Sequence, residues 1–191
     1  ETGLPVAVEV ATTAHVEESL KAGVDILWIG ARTSTNPFSV QSIADALEGV
    51  DSPVMVKNPI NPDQQLWIGA IERLLNVGIN KIAGIHRGCS DNVPSRFRNN
   101  PEWSMPILLK REFPDLAVIS DPSHICGNRK MIKEISQTAL NFGLDGLMIE
   151  THNDPDNAWS DAKQQITPDQ LKSILTDLIV RHSIEDTPEL L

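Results

Sequence analysis

The sequence predicts an α/β fold, a (β/α)8 TIM barrel in which six of the eight βα units are present. Three observations lead there. Six short runs rich in Val, Ile and Leu recur about every 28 residues, a normal βα spacing. Amphipathic helical stretches that stop at glycine separate most of them. A charged or metal-capable residue stands at the end of every run. An open doubly wound sheet gathers its functional groups at one switch point, whereas a barrel brings every strand end to a shared rim. The third observation therefore selects the barrel.

The first strand is read over Val6–Val10, with Glu9 at its end. His15–Ala22 follows as a helix ended by Gly23, and Asp25–Ile29 is the second strand, leading to Arg32. Phe38–Leu47 is a helix that stops before Gly49, and the third strand, Pro53–Val56, delivers Lys57. Gln65–Asn76 closes at Gly78 and precedes the fourth strand, Lys81–Ile85, with His86 and Arg87 beyond it. A long loop, Arg87–Trp103, lies ahead of the fifth strand, Leu116–Ile119, which runs into Asp121 and His124. Lys130–Phe142 is a helix ended by Gly143, and the sixth strand, Gly146–Ile149, carries Glu150 at its tip. Pro168–Arg181 is a last helix, with Thr167 as N-cap and proline at its first position. The strands are continuous apolar runs rather than strict alternations, the pattern of parallel strands covered on both faces.

The chain has 191 residues, enough for one domain with a sizeable core. With 16 Lys+Arg against 26 Asp+Glu its formal net charge is −10, which argues against a nucleic-acid partner, since phosphate backbones need a basic surface. No apolar run reaches the roughly 18 to 20 residues of a membrane span, and no signal-peptide layout stands at the N-terminus. Cys89 and Cys126 form no CxxC pair and no disulfide framework, so reduced thiols in a cytoplasmic protein are expected. An eight-unit barrel takes about 250 residues. The barrel is therefore assigned to residues 1–182, without its first two units, and 183–191 to the start of a linker into an absent C-terminal domain. Such a partial barrel exposes apolar sheet edges, and homo-oligomerisation is expected of it.

The strand ends divide into two chemical sets. Arg32, Lys57 and Arg87 form an anion grip, because guanidinium forks match carboxylate and phosphate oxygens. His124, Glu150 and Asp161 offer an imidazole and two carboxylates, a donor set suited to Mn²⁺, Fe²⁺, Co²⁺ or Zn²⁺. His152 is a weaker candidate beside Glu150, and His15 and His182 read as helix-surface residues. The Arg87–Trp103 loop, with Arg96 and Arg98, reads either as a mobile phosphate-capable loop or as a solvated one, anchored by Trp103 and Met105. Trp28 and Trp67 read as core. No GxGxxG, Walker A, HExxH or GxSxG pattern occurs, so dinucleotide, P-loop and serine-hydrolase chemistry lose their best support.

Five segments at strand ends carry a family resemblance: Trp28-Ile29-Gly30-Ala31-Arg32-Thr33, Val56-Lys57-Asn58-Pro59, Ile85-His86-Arg87-Gly88, Asp121-Pro122-Ser123-His124 and Ser160-Asp161-Ala162. In this order they resemble the motifs of 3-deoxy-D-arabino-heptulosonate 7-phosphate (DAHP) synthase, type I beta, over strands three to eight of its barrel. The form fused to a C-terminal chorismate mutase is especially similar. The resemblance implies a metal-dependent, aldol-type condensation of phosphoenolpyruvate with erythrose 4-phosphate, the first step of the shikimate pathway. It implies that Arg32, Lys57 and Arg87, with the Ala31 amide, hold phosphoenolpyruvate, and that His124, Glu150 and Asp161 hold the metal. Glu9 matches a glutamate near the attacking water, and Asp121 one bordering the aldose phosphate; Lys57, His124 and Glu9 form the implied catalytic set. The family's metal-ligating cysteine on strand one and its Lys-Pro-Arg-Thr segment on strand two have no counterpart here, so this chain alone is expected to be inactive. Two alternatives stand beside this reading: a non-catalytic partial barrel acting as a binding or regulatory partner, and the related 3-deoxy-octulosonate 8-phosphate synthase. The Asn58-Pro59 and Trp-Ser-Asp-Ala contexts favour the heptulosonate enzyme.

Overall fold

Every strand in the structure, a computed structural model describing residues 2–91 and 94–180, runs parallel to its neighbours. The strands are β1 (Ala7–Val10), β2 (Ile26–Ile29), β3 (Val54–Lys57), β4 (Ile82–His86), β5 (Ala117–Ser120) and β6 (Gly146–Leu147), and they pair in chain order. A doubly wound sheet reverses that order part-way; an unreversed order is that of a barrel wall. The wall is an open one among the described residues, with β1 and β6 each paired on one side only. Ladder pairing in β6 stops after Leu147, two residues short of the expected strand.

The helices between the strands are α1 (Thr13–Lys21), α2 (Pro37–Ala46), α3 (Gln64–Asn76), α4 (Ser104–Glu112), α5 (Pro122–Cys126), α6 (Ile132–Asn141) and α7 (Pro168–Asp177). The first three begin earlier than apolar periodicity suggests, because Thr12, Asn36 and Asp63 cap them with side-chain oxygens that accept the first free backbone N–H groups. A 3₁₀ turn, Arg129–Met131, leads into α6. Thr167 caps α7 as expected, in a reciprocal box with Gln170, but the helix stops at Asp177 rather than Arg181, with extended backbone at Leu178. Arg181, His182 and the expected linker 183–191 lie outside the described residues. Two helices have no counterpart in the sequence reading. Pro106 sits inside the first turn of α4, where its missing N–H costs nothing, and masks the helical pattern. α5 is a turn and a half between Asp121 and Gly127.

The core lies between sheet and helices. Leu27, Ile29, Val54, Val56 and Val118 face outward from the strands and are fully buried against Ile43, Leu47, Trp67, Ile71, Leu74 and Leu109. Gly84 permits this close approach on β4: a Cβ there would stand 2.9 Å from Leu109 and 3.1 Å from Trp67. Side chains alternate along a strand, so the intervening residues face the barrel interior. Trp28, Met55 and Ile119 are only half-buried, although Ile85 on the same face is fully buried, so coverage on both faces, the sequence expectation, is only partial on the interior side. Shortening a residue of the packed face tests this assignment. Leu74→Ala is expected to cost about 3 kcal/mol of stability in urea unfolding, whereas Met55→Ala on the open interior face should cost less than half as much.

Candidate active site

The interior-facing residues at the C-terminal strand ends surround a cavity of about 540 Å³. Glu9 and Trp28 come from adjacent positions on β1 and β2, Lys57 ends β3, and Arg87 follows β4. The turn after β2 adds Ala31 and Arg32, and His124 and Asp161 close the far side. Gly30 makes room for the Glu9 carboxylate, since a Cβ there would meet Oε1 at 1.9 Å.

The cationic side is built on buried polar groups. Lys57 is 4% exposed, with its ammonium 2.8 Å from Oδ2 of Asp121 and 4.6 Å from the centroid of the Trp28 ring. A desolvated ammonium needs both an anion and a polarisable face, and it has both. Asn58, fully buried, accepts the Arg87 backbone N–H at 2.7 Å and donates to the carbonyls of Pro59 and Gly88, both at 2.9 Å. That fixes the backbone from which Arg87 projects. Burial pushes the Arg87 guanidinium below its ordinary value; Asp121 and Cys89 oppose the shift, and the nearby charges of Arg98 and Arg32 add to it. Arg32 and Arg87 have no carboxylate ion pair among the described residues. Two unpaired guanidiniums beside a buried ammonium favour a multiply charged anion.

The opposite side is built on α5. Asp121 caps it, Oδ1 accepting the His124 N–H at 3.0 Å, and Pro122 occupies its first position. The second oxygen, Oδ2, stands 2.8 Å from Nδ1 of His124, in contact though too oblique for a full hydrogen bond, and 2.8 Å from the Lys57 ammonium. Burial of Asp121 (1% exposed) raises its pKa, but the imidazole contact and the Lys57 charge outweigh burial and hold it at about 2. With Nδ1 turned to this carboxylate, Nε2 of His124 faces the cavity, 3.8 Å from Oε1 of Glu150 and 3.9 Å from Oδ2 of Asp161. One ligand atom from each of the three residues lies within 4.8 Å of the others. Two carboxylates so close repel by roughly 3 kcal/mol at an effective dielectric near 20. A divalent cation between them would remove that repulsion, and the imidazole–carboxylate donor set fits one. A carboxylate behind an imidazole, as Asp121 stands here, is the arrangement that orients a histidine towards a metal.

Residues 1–183 match the family described as the DAHP synthetase I family. The chain belongs to that family. It is 29% identical over 154 residues to the phospho-2-dehydro-3-deoxyheptonate aldolase of Thermotoga maritima, covering 81% of this chain and 44% of that protein. It is 31% identical over 132 residues to a 2-dehydro-3-deoxyphosphooctonate aldolase of Desulfotalea psychrophila, covering 61% and 44%. Among solved structures, a truncated 3-deoxy-D-arabino-heptulosonate 7-phosphate synthase from Thermotoga maritima aligns with a TM-score of 0.80 at 25% identity, over 91% of this chain and 64% of that one. The chain thus spans less than half the length of these curated relatives. The fold of the aligned enzyme agrees with the barrel read from the sequence.

Within this DAHP synthetase I member, eight of the nine site residues named from the sequence reach the cavity or the candidate metal cluster: Glu9, Ala31, Arg32, Lys57, Arg87, His124, Glu150 and Asp161. Asp121, expected to border a substrate phosphate, is the ninth. It lies beneath the cavity floor with both oxygens engaged. Two strand-end expectations change because side chains alternate along a strand. His86 alternates to the helix side of β4, together with Gly84, and is fully buried against Trp103 at 5.1 Å and the Pro101 carbonyl. Trp28, expected in the core, alternates to the interior and lines the site. His152 accepts the Asp154 backbone N–H and stays outside the cluster. The long loop after β4 is neither free nor merely solvated. Cys89 and Asn100 exchange backbone bonds at 2.7 and 2.8 Å, and Asn99 clasps α5 by its own N–H to Ile125 and its side chain to the His124 carbonyl. Arg96 and Arg98 are paired with Glu134 and Asp161. The sequence reading missed Asn99, Gln164 and the buried Ser123, whose hydroxyl accepts the Glu150 N–H, because each has a partner 25 or more residues away, Arg98 in the case of Gln164.

Buried neutral His86 makes stability pH-dependent. Burial lowers its pKa from an ordinary 6.5 to about 4, so the unfolded chain takes up this proton first as pH falls. Its stabilising contribution is complete above pH 6.5 and declines towards pH 4, by on the order of 3 kcal/mol. Urea titrations at pH 7.0 and 4.5 should show a smaller pH loss for His86→Phe than for the wild type; equal losses would refute the assignment.

Proposed function

We propose that this chain forms the greater part of the catalytic barrel of a metal-dependent DAHP synthase, condensing phosphoenolpyruvate with erythrose 4-phosphate and releasing phosphate. The observation that carries the reading is the shared buried carboxylate of Asp121, which ties the anion-gripping Lys57 and the metal-facing His124 to opposite sides of one cavity. Arg32, Lys57, Arg87 and the Ala31 amide hold the phosphate and carboxylate of phosphoenolpyruvate, so that its C3 faces the aldehyde. His124, Glu150 and Asp161 hold the divalent metal, Mn²⁺, Fe²⁺, Co²⁺ or Zn²⁺, which polarises the aldehyde carbonyl when bound. A C–C bond forms between C3 of the enol phosphate and the aldehyde carbon, whose oxygen takes a proton. Glu9, on the cavity wall beside Gly30, directs the water that adds at C2, and phosphate then departs as the C2 carbonyl forms. Asp121 acts by orientation, holding the ammonium and the imidazole.

The active unit in this reading is a longer chain with a closed barrel, since the described sheet is open and the curated relatives are more than twice as long as the stretch matched. That chain is read as a cytoplasmic homo-oligomer carrying a C-terminal chorismate mutase domain, on the motif resemblance; no described helix is long and apolar enough to cross a membrane. The octulosonate aldolase match supports one alternative acceptor, a five-carbon aldose phosphate.

Phosphoenolpyruvate consumption by the full-length chain with Mn²⁺ and either aldose phosphate tests the proposal. Turnover is expected with erythrose 4-phosphate, and preference for arabinose 5-phosphate would move the chain to the octulosonate reaction. No turnover with either by a folded, Mn²⁺-loaded protein favours a non-catalytic barrel. Arg87→Ala should lower kcat/KM for phosphoenolpyruvate by about 10- to 100-fold, the worth of one charge-assisted contact.

A further inference from the structure

Glu150 and Asp161 each divide their two carboxylate oxygens between two tasks. Oε1 of Glu150 and Oδ2 of Asp161 face Nε2 of His124. The remaining oxygens are held by a second layer. Oε2 of Glu150 accepts from Nε2 of Gln164 at 2.6 Å, and Oδ1 of Asp161 accepts from Nη1 of Arg98 at 2.6 Å. The layer is itself joined, because the same Arg98 nitrogen donates to Oε1 of Gln164 at 2.7 Å.

We infer that Gln164, seated by Arg98, is a positioning residue that presents one chosen oxygen of each carboxylate to the metal. The inference rests on the divalent-metal reading above. Gln164 is 1% exposed, and a buried amide is costly unless its ends are bonded, as both are here. Its NH₂ must face the carboxylate and its oxygen the guanidinium, so the amide has one orientation only. Backbone pairing delivers it there: Ile166 N–H donates to the Glu150 carbonyl and His152 N–H to the Ile166 carbonyl, laying 164–166 alongside the Glu150 strand end. Asp161 sits at φ 51°, a left-handed conformation unusual for aspartate, and the Gln164 N–H closes that turn on its carbonyl at 3.0 Å. Arg98 reaches the layer from the long loop by crossing Gly127, where a Cβ would stand 2.5 Å from its own Cβ. The loop after β4 thereby sets ligand geometry on the far side of the barrel mouth. Partners of this kind are worth about 10- to 100-fold in metal affinity.

Calorimetric Mn²⁺ titration and the visible spectrum of the Co²⁺ form, on wild-type protein and variants, test the assignment. Gln164→Leu keeps the volume, removes both hydrogen bonds, and should weaken Mn²⁺ binding at least tenfold while shifting the Co²⁺ bands. Arg98→Met, on a half-exposed residue, should weaken it about threefold or more without threatening the fold, and Arg98→Lys should restore part of the loss. Glu150→Gln separates the two readings. If it binds Mn²⁺ as the wild type does, or the wild type binds none, the metal reading fails and the positioning role with it. If Glu150→Gln loses affinity while Gln164→Leu and Arg98→Met keep wild-type affinity and spectra, the positioning role alone is overturned.

Discussion

One buried carboxylate organises the mouth of this barrel. Oδ2 of Asp121 lies 2.8 Å from both the Lys57 ammonium and the His124 imidazole, while Oδ1 starts the helix that carries the histidine. Lys57 ends the third strand and Asp121 follows the fifth, so this contact spans the fourth. Removing two charges from water costs several kcal/mol for each ion, and such pairs often add little net stability. What this one supplies is orientation. The ammonium cannot swing away from the cavity floor, and the imidazole is held with Nε2 outward.

The rest of the site inherits that arrangement. Cations gather on the side of β2 to β4, and oxygen and nitrogen ligands gather on the side of α5 and the segments after β6. The two sides of one cavity therefore attract opposite signs of charge, anions beside the guanidiniums and ammonium and cations beside the carboxylates. The supporting polar groups are Asn58 behind Arg87, Ser123 behind Glu150, Asn99 behind His124, Gln164 behind the Glu150 carboxylate and Arg98 behind that of Asp161.

Much of the fold was legible in the sequence. Apolar runs at βα spacing located five strands to within one residue and the shortened β6 to within two, because parallel strands packed against helices must be apolar along their length. Side-chain caps and a proline inside a first turn blurred helix starts, and α4 and α5 escaped for that reason and for shortness. Strand-end position also located the charged residues of the site. It could not say which face each one takes: a shift of one residue sends His86 to the helix layer and Arg87 to the mouth.

By itself, the order of residues determined the strand rhythm, the net negative charge and the chemical types gathered at the strand ends, since these depend on local pattern and composition. Tertiary structure alone decided that Asp121 sinks beneath the site, that Trp28 faces it, and that Arg98 and Gln164 stand behind the ligand carboxylates. Those outcomes follow from strand alternation and from contacts between units far apart along the chain, where the energy of a polar group depends on what the fold brings to its side.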